Sequence, residues 1–152
     1  MKFDILIADK NNVEASIQTL GDIVAPMFAK SWVQTGEPMY NHPFSLHVQS
    51  FIMSWLQGVT KIFVAYDDQN QPIGFIIGVL YRPLQFECNV LQIECQYYET
   101  PEVEKGLQDY LVNSMRFFAV EEVWYTKTKG MTPLNLNGWH EKETLELHRM
   151  VK

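Results

Sequence analysis

The spacing of hydrophobic residues divides the chain into helical and extended regions. The apolar run 3–9 predicts a first strand, and either Asn11 or Asn12 is suited to cap the helix after it. Pro26 predicts a bend in this helix, whose apolar residues recur at helical spacing: Val13, Ile17, Leu20, Ile23, Val24, Met27 and Phe28.

A second amphipathic helix is predicted over 44–56, and Gly58 is placed to close it. From residue 61 the period changes from helical to alternating, which predicts two strands joined by the polar turn 67–71. A third strand, 86–98, should pair antiparallel with the second. These three strands form a predicted antiparallel unit.

Thr100 and Pro101 open the next predicted helix, whose apolar stripe comprises Val103, Leu107, Tyr110, Leu111 and Phe118. A further strand follows at 122–128, whereas 139–152 fits neither period well and is either a strand or a short helix. The element order predicts an α+β fold with a mixed, mostly antiparallel sheet and helices on both faces. We expect residues 1–152 to form a single domain.

Composition and charge narrow the classes of partner. The 152 residues carry a net charge of −6, which argues against nucleic acid and favours an amine-bearing small molecule or protein. No apolar run approaches the roughly 20 residues of a membrane span, and Asp4 and Asp9 interrupt any signal-peptide core. We therefore predict a cytoplasmic protein without a membrane partner, either a monomer or a homodimer.

The two cysteines are Cys88 and Cys95. In one extended segment they would lie about 23 Å apart and on opposite faces, too far for a disulfide. Reduced core thiols are the simpler interpretation, and a catalytic role for Cys95 is the alternative. The histidines are scattered without metal-ligand spacing, so we predict no metal: His42, His47, His140 and His148.

The segment around Thr100 allows two interpretations. Thr100 as N-cap, Pro101 at the first helical position and the acidic Glu102 and Glu104 make a complete helix start that needs no ligand. Alternatively, a helix that begins later, around Gly106, would leave free N–H groups for an anion. The sequence leaves both open.

The hairpin "VAYDDQNQPIGF", with Ile73-Gly74 opening its second strand, resembles the GNAT family of acetyl-CoA-dependent N-acyltransferases. The resemblance extends over nearly the whole chain. It places the pyrophosphate loop at Lys105-Gly106, although Val103 and Gln108 depart from the family pattern. It implies an acetyl-CoA site formed by Val103, Glu104, Lys105, Gly106, Leu107 and Gln108.

The same resemblance places other site residues on the third strand. Backbone groups of Gln96 and Tyr98 would bind the pantetheine arm of acetyl-CoA. The family's catalytic carboxylate falls at Gln92, and Glu94 lies two residues on, on the same face if the strand alternates regularly. Apolar neighbours would raise the pKa of Glu94 toward that of a useful base, although a solvated Glu on an edge strand is the alternative. Tyr98 is the candidate acid near the thiol.

The resemblance implies an N-acetyltransferase that transfers an acyl group from acetyl-CoA, as co-substrate, to an amine. The cleft would lie where the third strand and the strand after it diverge. The acceptor should be basic because the rim is acidic, with Glu87, Glu94, Glu99 and Glu102. Two alternatives are a GNAT-like protein that binds another protein with little or no catalysis, and an unrelated α+β binding module.

Overall fold

A computed structural model describes residues 1–35, 44–84, 86–125 and 134–144. These parts contain five β-strands and four α-helices, in the order β1 Lys2–Leu6, α1 Val13–Thr19, α2 Ala25–Thr35, α3 Phe44–Leu56, β2 Thr60–Tyr66, β3 Pro72–Tyr81, β4 Val90–Tyr98, α4 Pro101–Met115 and β5 Glu122–Tyr125.

The strands form one sheet in the order β1-β2-β3-β4-β5. β1 to β4 pair antiparallel with their neighbours, whereas β5 pairs parallel with β4. The predicted polar turn joins β2 to β3, where the Asp67 amide donates to the Gln71 carbonyl at 3.0 Å. The sheet is therefore mixed and mostly antiparallel, as predicted.

Helices cover both faces of this sheet, which confirms the predicted α+β architecture. The face covered by α4 contains a core of Phe63, Ala65, Ile76, Leu91, Ile93, Val103, Leu107, Leu111, Met115 and Leu136. The face covered by the first three helices contains Leu20, Val24, Met27, Trp55, Ile62, Val64, Phe75, Ile77 and Tyr97. Trp55 also ties α3 to the sheet, because its indole Nε1 donates to the Leu6 carbonyl at 2.9 Å.

Local signals set several helix ends. The Asn12 side chain accepts from the Ala15 amide at 3.1 Å and caps α1, and Gly58, at φ +76°, closes α3. A π-helical turn, Leu20–Val24, joins α1 to α2 directly before Pro26. The predicted irregularity at this proline thus takes the form of a wider turn.

The first strand is shorter than predicted, ending at Leu6 instead of residue 9. The Ser16 hydroxyl accepts from the Asp9 amide at 2.8 Å and donates to the Asp9 carbonyl at 3.2 Å. These bonds engage the backbone of Asp9 with α1, so it does not join the sheet.

The third predicted strand also begins later, at Val90 instead of residue 86. A turn precedes it, in which the Phe86 amide donates to the Pro83 carbonyl at 3.1 Å. Cys88 lies outside β4, so the prediction that it shares one extended segment with Cys95 is wrong.

The end of the chain is described only in part. Residues 126–128 of the predicted last strand and residues 145–152 lie outside the described residues. Residues 139–144 form neither a strand nor a helix.

Gly74 allows α4 to approach β3 closely, and we predict that Gly74→Ala destabilises the fold. A β-carbon there would lie 2.6 Å from Val103 Cγ1 and 3.0 Å from the Tyr97 carbonyl oxygen. Overpacking of this kind lowers the free energy of unfolding by about 1–3 kcal/mol. Gly21→Ala is the control, because a β-carbon at Gly21 meets nothing within 4 Å. Urea unfolding of both variants tests this: an equal response would contradict the close packing at Gly74.

Candidate functional site

An irregularity in the middle of β4 organises the site. Ile77 pairs with Cys95 and Gly78 pairs with Ile93, so Glu94 is an extra residue without a partner on β3. This is a β-bulge. It reverses the alternation of the strand, because Ile93 packs on the α4 side of the sheet whereas Cys95 packs on the opposite side.

Beyond the bulge, two residues of β4 direct their backbone polar groups away from β3. The Glu99 amide donates to the Ile73 carbonyl at 3.1 Å, so Ile73 and Glu99 are a hydrogen-bonded pair, and the pairs Gly74–Tyr98 and Ile76–Gln96 are not. In an antiparallel pair only alternate residues bond to one neighbour, so Gln96 and Tyr98 point their N–H and C=O groups toward the β5 side. The described pairing of β4 with β5 ends at Ile93.

A polar and aromatic cluster lies beside the bulge. The Tyr81 hydroxyl donates to Gln92 Oε1 at 3.0 Å, and the Tyr81 ring meets that of Trp124 edge to face at 5.9 Å. Burial raises the pKa of Tyr81, and the negative charge of the nearby Glu94 raises it further. Glu94 therefore lies near enough to Tyr81 for its charge to act on the phenol.

Tyr81 and Trp124 were not among the predicted site residues. Only the pairing register would have indicated them, because it sets Tyr81 opposite Val90 and Trp124 opposite Gln92. Strand patterns alone do not specify that register.

Glu94 is exposed to solvent and has a carboxyl group of raised pKa. Although the residue is exposed, partial desolvation by the surrounding protein raises the pKa of its carboxyl above the ordinary value. A raised carboxylate pKa increases basicity, and an open position allows a reactant to approach. These two properties suit a general base.

Tyr98 lies on the other face of the sheet, the α4 side, apart from the Tyr81–Gln92 pair. Its hydroxyl donates to Gln96 Oε1 at 2.8 Å. Burial raises the pKa of Tyr98 far above its usual range, so the phenol keeps its proton. The three candidate catalytic residues therefore do not form one cluster: Glu94 lies near Tyr81, which is bonded to Gln92, whereas Tyr98 is on the other face.

The start of α4 is complete without a ligand. Thr100 Oγ1 accepts from the Val103 amide at 3.3 Å and the Thr100 carbonyl accepts from the Glu104 amide at 3.1 Å. Pro101 has no N–H, and hydrogen bonds from the Glu102 amide and the Thr100 hydroxyl lower the pKa of the Glu102 carboxyl. The predicted cap by Thr100 is confirmed, and the later start around Gly106 is wrong because α4 begins at Pro101.

The other residues expected to hold the pyrophosphate lie within this helix. The side chains of Val103 and Leu107 are buried in the core. Gly106 faces β1, where a β-carbon would overlap the ring of Phe3. The small residue thus accommodates an aromatic ring of the protein itself.

An open groove of about 560 Å³ runs beside the first turns of α4. Lys105 Nζ pairs with Asp109 at 2.6 Å, so the lysine charge is already partnered. Gln108 is buried and its amide donates to Glu104 at 3.3 Å. The polar lining comprises Glu104, Lys105, Gln108, Asp109, Asn135 and Asn137.

Neither cysteine forms a disulfide. Cys95 packs against the core on the side of the first three helices. Within the described ranges, no group of three or more His, Cys, Asp or Glu side chains could hold a metal ion. The same part of the chain contains no helix long and apolar enough to cross a membrane.

No protein-family model matches this sequence, and no curated protein matches it. Solved structures do match its fold. A probable acetyltransferase superposes with a TM-score of 0.63 at 12% identity, covering 99% of this chain and 97% of its own. A predicted acetyltransferase with acetyl-CoA from Clostridium acetobutylicum gives 0.62 at 14% identity, covering 93% and 96%.

An aminoglycoside acetyltransferase from an uncultured soil metagenomic sample gives a TM-score of 0.62 at 14% identity, and the match covers both chains completely. The superpositions extend over nearly the whole of each chain, and the mixed five-stranded sheet of this protein, with its helices, is a GNAT-like α+β fold. The resemblance read from the hairpin and the comparison of folds therefore agree: the chain has the fold of the GNAT acetyltransferases.

Proposed function

We propose that the protein is an N-acyltransferase that moves an acyl group from a thioester donor such as acetyl-CoA to a basic amine. The observation that carries the proposal is the bulge at Glu94, which sets a carboxylate of raised pKa beside a strand segment with outward backbone groups. The fold, shared with acetyltransferases, supports the reaction class.

In this proposal Glu94 is the general base. It accepts a proton from the acceptor amine, directly or through water, so that the nitrogen lone pair attacks the thioester carbonyl. Gln92 and Tyr81 are positioning residues, because their mutual hydrogen bond at 3.0 Å holds the polar surface next to the carboxylate.

The thioester supplies an activated acyl group. The backbone N–H and C=O groups of Gln96 and Tyr98 face the β5 side, and they fit the two amides of a pantetheine arm by main-chain hydrogen bonding. The Tyr98 side chain has no catalytic role in this proposal, because its hydroxyl already donates to Gln96 Oε1 at 2.8 Å and it lies on the α4 face of the sheet.

The acceptor is proposed to be amine-bearing because the Glu94 carboxylate and the net charge of −6 favour a cation; Glu99, expected on the same rim, is already paired with Lys30 at 2.7 Å. One structural neighbour is an aminoglycoside acetyltransferase in complex with sisomicin. This supports an amine-bearing acceptor, which is either a small molecule or a protein.

A second candidate function is a GNAT-like fold that binds another protein without catalysis. The self-capped start of α4 favours it, because the Thr100 and Glu102 side chains occupy the helix end that a pyrophosphate would otherwise use. Donor binding separates the two functions.

We predict that an acetyl thioester stabilises the protein against heat. Acetyl-CoA or S-acetylpantetheine at about a hundred times its dissociation constant should add roughly 2.7 kcal/mol to the free energy of unfolding. Thermal melting measures this shift. If neither donor at millimolar concentration shifts the melting temperature, the acyltransferase proposal fails and the protein-binding function takes its place.

We predict that Glu94→Gln lowers kcat/KM by about 10²-fold or more, the usual contribution of a general base. In the unmodified protein kcat/KM should fall as pH drops through the raised pKa of Glu94, and the variant should lose this limb of the profile. The pH dependence of steady-state rates tests both effects.

The same variant should keep its stability. A carboxyl pKa raised in the folded state means that the charged form disfavours folding above that pKa, so the neutral glutamine relieves the penalty. Glu143→Gln, at an exposed position, is the matched control. An unchanged pH profile in Glu94→Gln would exclude Glu94 as the base.

A further inference from the structure

Among the described residues, the groove beside α4 lacks, at the start of that helix, the free backbone donors that the nucleotide half of acetyl-CoA would need. A diphosphate needs free N–H donors or cations. At this helix start Thr100 accepts from the Val103 and Glu104 amides, and Pro101 has no donor. The donors that a helix end normally offers to an anion are thus already used by the chain.

The charges of this region are also unsuited to a phosphate. Glu102 and Glu104 are in the first turn of α4, and the pKa of Glu102 is held low, so it is ionised. Among the described residues that line the groove, the cation is Lys105, and its Nζ is paired with Asp109 at 2.6 Å. Within the part of the chain that the structure describes, Glu102 and Glu104 form no ion pair, so their carboxylates would repel an anionic ligand.

The packing leaves no route for the backbone to approach a diphosphate at the expected glycine. Gly106 is directed at the Phe3 ring, which in turn stacks on Tyr110 at 5.9 Å. Gln108, where a small residue is expected, is buried and bonded to Glu104. By contrast, the outward backbone groups of Gln96 and Tyr98 are suited to an uncharged amide chain.

We propose that the protein recognises its acyl donor through the pantetheine arm alone, and that the acidic start of α4 repels the nucleotide half of coenzyme A. This proposal rests on the acyltransferase function. The amine nitrogen forms a bond to the acyl carbon while the C–S bond breaks. The amine proton passes to Glu94, and the pantetheine thiolate leaves with the electron pair and takes a proton from water.

The test compares S-acetylpantetheine, acetyl-CoA and adenosine 3′,5′-bisphosphate by calorimetry on the full chain. We expect acetyl-CoA to bind no more tightly than S-acetylpantetheine, and the bisphosphate not to bind. Acetyl-CoA binding should strengthen as salt rises and screens the carboxylates, whereas binding of uncharged S-acetylpantetheine should not.

Substitution of the carboxylates provides a second measurement. Glu104→Gln and the double variant Glu102→Gln/Glu104→Gln should shift the ratio of affinities toward acetyl-CoA, by about threefold for each charge removed. That factor corresponds to roughly 0.7 kcal/mol. Glu143→Gln, exposed and remote in sequence, is the control and should leave the ratio unchanged.

Two outcomes would overturn the proposal in different ways. Acetyl-CoA binding about tenfold or more tighter than S-acetylpantetheine would show that the nucleotide is recognised, and the acyltransferase function would stand. Binding of neither thioester would remove the acyltransferase function and this inference with it.

Discussion

The bulge in β4 is the constraint on which the site depends. Because Glu94 has no partner on β3, the strand buries Leu91 and Ile93 under α4 and, past the bulge, Cys95 and Tyr97 under the first three helices. A regular strand would place all four on one face. Glu94, the extra residue, is exposed to solvent, yet partial desolvation by the surrounding protein raises the pKa of its carboxyl.

The sequence predicted those elements of the fold that a single local signal specifies. Helical spacing in α4, the Thr100 cap and the Asp67 turn each specify their own element. Register was not readable, because pairing is decided by contacts between distant strands. The sequence therefore offered Glu94 and Gln92 as candidates but not Tyr81, which reaches Gln92 only through the register of β3 on β4.

The first turn of α4 is unsuited to the diphosphate of coenzyme A, although the overall fold is that of acetyltransferases. Thr100 satisfies two backbone amides and the acidic residues favour the positive end of the helix, so this turn is stable without a bound anion. The fold matches that of acetyltransferases along nearly its whole length, whereas this turn has the opposite charge to the one a diphosphate requires. A donor recognised by its uncharged arm reconciles the two.

The most direct measurement is a titration of the isotopically labelled protein with S-acetylpantetheine, followed by the chemical shifts of backbone amides. If β4 binds the pantetheine arm, the chemical shifts of the Gln96 and Tyr98 amides, which face away from β3, should change most. Those of the Val103 and Glu104 amides should not change. Shifts concentrated at Val103 and Glu104, or no shifts at all, would contradict donor binding at the strand beyond the bulge.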